Sequence, residues 1–248
     1  MRRSVWITVG LVTIAVGLIL LLPFLGDLGE ETSTQTFDGV TDLAFDLENG
    51  AVNIIGGASG TTVEMSVTTG LFDGEVTVEQ DGGRLRLEQR CPLVIGWGCR
   101  AFFAVTLPSD VEVSGSTSNG AITAESLDEP ISVTTSNGAI NVVDISASAA
   151  FRTSNGAILA AGLGSPEVEA STSNGRVQLE FVVAPDSVRA TSSNGAIVVI
   201  LPDESPDYAV STSTSNGRVV TDVRTDPAAP ASIDVETSNG DITVRYAD

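Results

Sequence analysis

The chain has 248 residues, 42% of them apolar, and its 32 acidic and 12 basic residues give a formal net charge of −20. This composition supports a hydrophobic core and excludes a disordered chain, while the negative charge disfavours nucleic acid as a partner. Histidine and lysine are both absent, which excludes a Ser-His nucleophile and a lysine base. An acidic surface without lysine fits adaptation to high salt, and equally a generic acidic surface.

The first element in the chain is an uncharged apolar segment at residues 5–25. As an α-helix it would span roughly the 30 Å hydrocarbon core of a bilayer. Arg2 and Arg3 precede it and acidic residues follow it, so the positive-inside rule predicts a cytoplasmic tail at 1–4 and export of the remainder. We therefore predict a retained single-pass membrane anchor at 5–25 and a polar linker at 26–36. A cleaved signal peptide is the alternative.

From residue 37 onward, apolar and polar residues alternate with period two. Ile131 and Val133 show the pattern, as do Ile233 and Val235, and no sustained helical spacing occurs. The sequence therefore predicts a single all-β domain over 37–248.

The two cysteines, Cys91 and Cys99, lie in the irregular segment 61–100, where turns such as DGGR occur. In an exported domain, two cysteines most simply form a disulfide, with free thiols as the alternative. A metal pair is disfavoured, because a tetrahedral site needs more ligands than two thiolates. The apolar loop between the cysteines is predicted to cover an open end of the core, with a contact surface as the alternative.

The tetrapeptide Thr-Ser-Asn-Gly recurs seven times between residues 117 and 240, once with serine in the first position. Successive copies are 18 to 23 residues apart, and LENG at 47–50 is a degenerate eighth copy. Apolar residues flank every copy on both sides. The repeated asparagines and glycines are Asn119, Asn137, Asn155, Asn174, Asn194, Asn216 and Asn239, and Gly120, Gly138, Gly156, Gly175, Gly195, Gly217 and Gly240.

Two architectures fit this repeat. Asn-Gly between alternating strands is a strong hairpin signal, but hairpins would not require every corner to be chemically identical. A parallel β-solenoid, or β-helix, of about 18 to 23 residues per coil does require it, because equivalent corners then lie directly above one another. We therefore predict the solenoid and keep hairpins as the alternative.

The corner residues have a predicted structural role. Glycine would supply a positive φ and asparagine would tolerate it, while stacked asparagine amides would form a buried ladder. A polar stripe presented to a polysaccharide is the alternative function of that ladder.

Carboxylate pairs are the remaining candidates for chemistry. Glu167 and Glu169 share a strand face, as do Asp234 and Glu236, but alternating acidic residues are also the normal solvent face of a strand. The acidic loop at 203–207 could bind calcium, although its spacing matches no known calcium loop. We assign no catalytic residue, metal site or cofactor.

The segment FAVTLPSDVEVSGSTSNGAITAE at 103–125, with the following Thr-Ser-Asn-Gly series, resembles the putative adhesin family of prokaryotic surface proteins. The resemblance covers residues 37–248. It implies a β-solenoid behind an export or membrane segment, and it brings no site residues that could be transferred to this chain.

The sequence thus predicts a membrane-anchored cell-surface interaction or scaffold protein without catalysis. A surface glycan or protein is the expected partner, with self-association through the carboxyl-terminal coil at 237–248 as a further expectation. The alternatives are an accessory or sensor protein of an envelope-response system and a carbohydrate-active enzyme.

Overall fold

The structure is a computed structural model that describes residues 30–68, 74–91 and 99–247. All regular elements in these ranges are β-strands, as the alternating pattern predicts. No helix that could cross a membrane occurs in the three ranges. The tail at 1–4 and the anchor at 5–25 lie outside the described residues. The predicted linker at 26–36 is wrong from residue 30 onward, where the chain forms a strand.

The described strands are numbered in chain order. They are β1 (Glu30–Phe37), β2 (Asp42–Leu47), β3 (Gly50–Ile55), β4 (Thr61–Thr68), β5 (Glu75–Asp81), β6 (Arg84–Arg90), β7 (Arg100–Thr106), β8 (Glu112–Thr117), β9 (Ile122–Leu127), β10 (Ile131–Thr135), β11 (Ile140–Ile145), β12 (Ala149–Asn155), β13 (Ile158–Leu163), β14 (Glu167–Asn174), β15 (Val177–Phe181), β16 (Ser187–Asn194), β17 (Ile197–Leu201), β18 (Ala209–Asn216), β19 (Val219–Asp222), β20 (Ser232–Asn239) and β21 (Ile242–Tyr246).

These strands form two sheets. Sheet A has eleven strands in the order β1-β4-β7-β3-β9-β11-β13-β15-β17-β21-β19, and sheet B has ten in the order β18-β20-β16-β14-β12-β10-β8-β2-β6-β5. Sheet A contains two antiparallel strands, β1 and β4, and sheet B contains one, β5, so each sheet has nine parallel strands. We call each parallel strand of sheet B, together with the corner that follows it and the next strand of sheet A, a rung.

Neighbouring rungs are parallel and in register. In sheet B, β10 pairs with β8 and β12 so that Val133 lies between Gly115 and Phe151, and in sheet A the matching strands pair in the same sense. The prediction of an all-β domain with stacked parallel strands is therefore confirmed. The hairpin alternative is wrong, because the two strands joined by each corner lie in different sheets.

The rungs do not stack in chain order at either end. Rung β2/β3 lies between β6/β7 and β8/β9, and rung β20/β21 lies between β16/β17 and β18/β19. The carboxyl-terminal rung is thus paired on both edges, so the expectation that 237–248 forms the open end is wrong. The last rung is β18/β19. Thr212 and Thr221 occupy inward positions where β20/β21 has Val235 and Val244, so the more apolar rung is the covered one.

The opposite end is built differently. The DGGR turn forms an antiparallel hairpin between β5 and β6, in which Gly82 has a φ of +61°. In sheet A, β4 pairs antiparallel with β7, and β1 with β4. Antiparallel strands therefore close this end of both sheets.

The core runs between the two sheets along the whole stack. Inward residues of the rungs lie in columns, and those inside the stack, such as Ile122, Ile140 and Ile158, are fully buried. Large residues are accommodated by small neighbours: a Cβ on Gly115 would lie 2.4 Å from the ring of Phe45 in the adjacent rung. Packing of this kind makes neighbouring rungs specific for each other.

Candidate functional site: the stacked corners and the faces beside them

The Thr-Ser-Asn-Gly copies form one column along the edge of the stack. Register places Asn155 beside Asn174, Asn174 beside Asn194, and Asn194 beside Asn239 rather than Asn216. Asn216 follows at the open end. The sequence copies are therefore brought together, in an order that differs from chain order only at the end.

The asparagine side chains form a continuous amide ladder. From Asn137 to the open end, each Nδ2 donates to the Oδ1 of its neighbour at 2.8 to 3.0 Å. Asn119, the first member, donates to the backbone oxygen of Glu48. All seven side chains are exposed, so the expectation of a buried amide ladder is wrong. Water can replace these bonds, which limits what each one contributes.

The buried hydrogen bonds of the corner belong to the hydroxyl that begins each copy. Thr153 Oγ1 donates to the carbonyl oxygen of Gly138 at 3.0 Å, and the same bond recurs at every copy at 2.7 to 3.1 Å. All of these side chains except Thr214 at the open end are buried. Sequence reasoning missed this role, although Ser192 retains the hydroxyl where threonine is lost, and that was the available signal.

Glycine is required at the corner by close approach of the backbone. A Cβ on Gly156 would lie 1.8 Å from the carbonyl oxygen of Gly138, and every other repeated glycine would meet its neighbour's carbonyl at 1.8 to 2.1 Å. No repeated glycine except Gly240 has a positive φ, and its value of +159° is close to extended. The predicted reason, a left-handed conformation, is therefore wrong. The threonine or serine hydroxyl, the asparagine amide and the glycine of each corner thus all allow the backbones of adjacent rungs to stack.

At the closed end, different chemistry ends the column. The buried Gln89 side chain accepts from the backbone N–H of Asn49 at 3.0 Å and donates to the same residue's carbonyl oxygen. Asn49 Nδ2 donates to the carbonyl oxygen of Cys99, and Cys99 is joined to Cys91 by a disulfide. The loop between the cysteines, residues 92–98, lies outside the described residues. A buried amide and a disulfide thus replace the repeated corner here.

At the open end, the column stops without such a device. Asn216 and Thr214 donate inward to Asn239 and Gly240, but among the described residues no further rung donates to Asn216 Oδ1 or the Gly217 carbonyl. Strands β18 and β19 are also the last strands of their sheets. The two ends of the stack therefore differ in kind.

Each of the two candidate carboxylate pairs has one member in an ion pair with an arginine. Glu167 and Glu169 line a shallow open groove of about 480 Å³ on sheet B, together with Ser132, Ser187 and Arg189. Glu169 is held by Arg152 at 2.7 Å on an exposed face. Asp234 and Glu236 lie on the same sheet, and Asp234 pairs with Arg189 at 3.5 Å. Glu169 and Asp234 are thus solvent-facing partners of arginines.

The acidic loop considered for calcium contains an ion pair. Asp207 accepts from Arg224 Nε at 3.0 Å, and the Arg224 guanidinium also donates to the carbonyl oxygen of Ser205. In the part of the chain that the structure describes, no group of three or more Asp, Glu or Cys side chains is arranged to hold a metal ion.

The outer faces of the two sheets differ in polarity. On sheet A, Val143 and Leu159 point outward and are each 41% exposed. At the corresponding level of sheet B, outward positions hold Ser132, Thr134 and Arg152. The outer face of sheet A thus carries exposed aliphatic side chains among polar ones such as Glu125 and Gln178, whereas sheet B is polar at this level.

Comparison with known proteins gives the family. Residues 31–245 match the family model described as Toastrack DUF4097. A search of curated proteins found no match. Among solved structures, the chain is similar to a putative adhesin from Bacteroides fragilis NCTC 9343, with 10% identity and a TM-score of 0.54 over 89% of this chain and 99% of that one. It is also similar to a putative adhesin from Parabacteroides distasonis ATCC 8503, with 13% identity and a TM-score of 0.51 over 90% and 98%. These two likenesses concern the fold, and the family model matches most of the sequence, so the chain belongs to the Toastrack DUF4097 family.

Proposed function

We propose that the protein is a membrane-anchored cell-surface protein whose ectodomain, a β-solenoid of about 18 to 23 residues per coil, acts by interaction or as a scaffold and without catalysis. The naming of two structural neighbours as putative adhesins supports the class of function. The apolar segment 5–25 would be the anchor, with residues 1–4 in the cytoplasm and the stack outside.

This proposal rests on one observation: the repeated residues are engaged in contacts between adjacent rungs of the stack. The hydroxyls, amides and glycines of the corners bind adjacent rungs, so the residues that recur along the chain hold the backbone in place. The outward columns, by contrast, vary in charge and polarity from rung to rung. A rigid body with variable outer faces is suited to binding extended partners at fixed intervals.

The location can be tested by protease treatment of intact cells that express the full chain. We expect the stack to be cleaved or shed from intact cells, and the protein to remain in the membrane fraction before treatment. A variant that lacks residues 5–25 should leave that fraction. Full protection of the stack in intact cells, with cleavage only after lysis, would contradict the proposed orientation.

The interaction can be tested by screening the full chain in lipid nanodiscs against cell-surface polysaccharides and envelope proteins, at low and high salt. Two pairs of outward substitutions separate the faces: Val143→Ser with Leu159→Ser on sheet A, and Glu167→Gln with Arg189→Gln on sheet B. We expect saturable binding that one pair abolishes and the other leaves intact, with unchanged melting temperatures. Turnover of a bound polysaccharide would overturn the non-catalytic proposal.

A further inference from the structure

The open end of the stack exposes the core. Val219 occupies the inward column that also contains Ile197 and Ile242, which are fully buried, yet Val219 is 40% exposed. Its outward neighbour Val220 is 42% exposed. An apolar column that ends in solvent at an unpaired sheet edge is a surface that another strand can cover.

The sheet B edge strand at this end, β18, lacks the usual charged protection against pairing. Strand β18 has eight residues, AVSTSTSN, with no charge, proline or glycine, in a chain with 32 acidic residues. Strand β5, the other edge of sheet B, carries Glu75, Glu79 and Asp81. Because charged side chains commonly protect sheet edges, the uncharged β18 is the edge of sheet B that is open to pairing, apart from its start, where the preceding Tyr208 is bridged by Thr225.

The charges on sheet A make this end complementary to itself. The outward positions of strand β19 hold Val220 and Asp222, and Arg218 directly precedes the strand. The neighbouring segment that contains β21 places Asp241 beside Arg218 and Arg245 beside Asp222. Two copies of β19 paired antiparallel with Val220 opposite Val220 would place Arg218 of each opposite Asp222 of the other. The signs in each column would then alternate across both copies without a like-charge contact.

We propose that the open end pairs with the same end of a second copy of this chain. Strands β18 and β19 each pair antiparallel with their equivalents about one two-fold axis, and Val220 lies on that axis in sheet A. The exposed Val219 is covered in this arrangement. Because the closed end has antiparallel, charged edge strands, the contact uses one end only and gives a closed dimer rather than a fibre.

Cysteine cross-linking tests the register. The two native cysteines are joined to each other, so Val220→Cys adds a single free thiol to the full chain. Residues on a two-fold axis between antiparallel strands lie within disulfide distance. On mild oxidation we expect the Val220→Cys protein to run mainly as a covalent dimer. Leu159→Cys, which is equally exposed on the same face but far from the end, should remain mostly monomeric.

Charge variants test the partner. Arg218→Asp alone and Asp222→Arg alone each set like charges opposite one another twice per homodimer, and we expect about tenfold weaker self-association from each. A mixture of the two variants restores both opposite-charge pairs across the interface, so we expect heterodimers of near wild-type affinity. A purely structural role of Arg218 or Asp222 within one copy would give no recovery on mixing.

All three measurements use the full-length protein in detergent, at less than about one copy per micelle, so that copies do not meet only because they share a micelle. Dimer formation by sedimentation, selective cross-linking at position 220 and recovery in the mixture support the proposal. Equal cross-linking of the Val220→Cys and Leu159→Cys proteins, or no recovery in a mixture whose components keep their wild-type melting temperatures, overturns it. A monomer at all concentrations also overturns it, and would assign the open end to a different partner.

Discussion

The repeated rungs from β8 to β17 and the closed end from β1 to β7 hold the same kind of backbone edge by different means. In the repeated rungs, a threonine or serine hydroxyl, an asparagine amide and a glycine recur at every corner. At the closed end, the buried Gln89 amide, the disulfide and antiparallel strands take their place. The repeat is therefore needed where one corner stacks on an identical corner, and is dispensable where a corner stacks on a different structure.

The largest expected effect comes from filling the space at a corner glycine. Gly156→Ala places a Cβ 1.8 Å from a backbone carbonyl, which cannot move without shifting a rung, and we expect a loss of about 3 kcal/mol in the free energy of unfolding. In Gly50→Ala at the closed end, the nearest atom is the movable Gln89 Oε1 at 2.9 Å, so the loss should be less than half as large. Urea unfolding followed by circular dichroism measures both. Equal losses for the two variants would contradict the distinction between the repeated corners and the closed end.

Removal of the disulfide should weaken the closed end. Cys91 and Cys99 are eight residues apart, and replacing both with serine should lower the free energy of unfolding by about 2 to 3 kcal/mol. Limited proteolysis should show cleavage within 61–106 before any cleavage in the repeated rungs. First cleavage among the repeated rungs would show that the closed end does not depend on the disulfide.

The threonine column should matter more than the asparagine column. Thr153→Val leaves the Gly138 carbonyl without its buried donor, and we expect a loss of about 1 to 2 kcal/mol in unfolding free energy. Thr134→Val, on the exposed face of the adjacent strand, serves as the control and should change stability by less than about 0.5 kcal/mol. Thermal melts of the two variants should therefore diverge, and coincident melts would count against a buried hydroxyl column.

The exposed amide ladder should contribute less per residue. Asn155→Ala removes one bond to Asn137 and one from Asn174, but water can reach both partners, so we expect a loss of about 0.5 to 1 kcal/mol. Ser154→Ala is the matched control beside it. A loss for Asn155→Ala that exceeds the loss for Thr153→Val would reverse the order of the two columns.

Acid should weaken the ion pair between Arg90 and Asp46 on the outer face of the closed end. The Arg90 guanidinium donates to Asp46 at 2.5 Å and holds the pKa of that carboxyl below its ordinary value. A lowered folded-state pKa stabilises the protein above about pH 4, and that contribution is lost as the pH falls through the folded-state value. Asp46→Asn should lower the melting temperature by about 1 °C at pH 7, and the difference should shrink as the pH falls below about 4. A difference that stays constant as the pH falls through the acid range would show that the ion pair is not its cause.

The sequence allowed the parallel stack to be predicted because apolar residues flank each Thr-Ser-Asn-Gly copy in a fixed frame. It did not reveal which corner group is buried, since hydroxyl and amide recur equally and only side-chain direction separates them. The order of the rungs was also hidden, because identical corners can stack in any order. That order depends on inward residues such as Thr212 and Thr221, which mark the last rung by their polarity. Their position in β18 and β19 was a readable signal of a terminal rung.

The central claim, that identical corners stack in register and in this spatial order, can be tested with pairs of introduced cysteines. Ser193, Ser238 and Ser215 are exposed and equivalent in successive rungs of the structure. Neighbouring rungs lie about 4.8 Å apart, within reach of a disulfide, and rungs two apart lie at about twice that distance, which is out of reach. We expect an intramolecular disulfide, identified by peptide mass spectrometry, in the Ser193→Cys/Ser238→Cys protein and none in the Ser193→Cys/Ser215→Cys protein. The opposite result would mean that the rungs follow chain order, and no disulfide in either protein would contradict stacking of the corners.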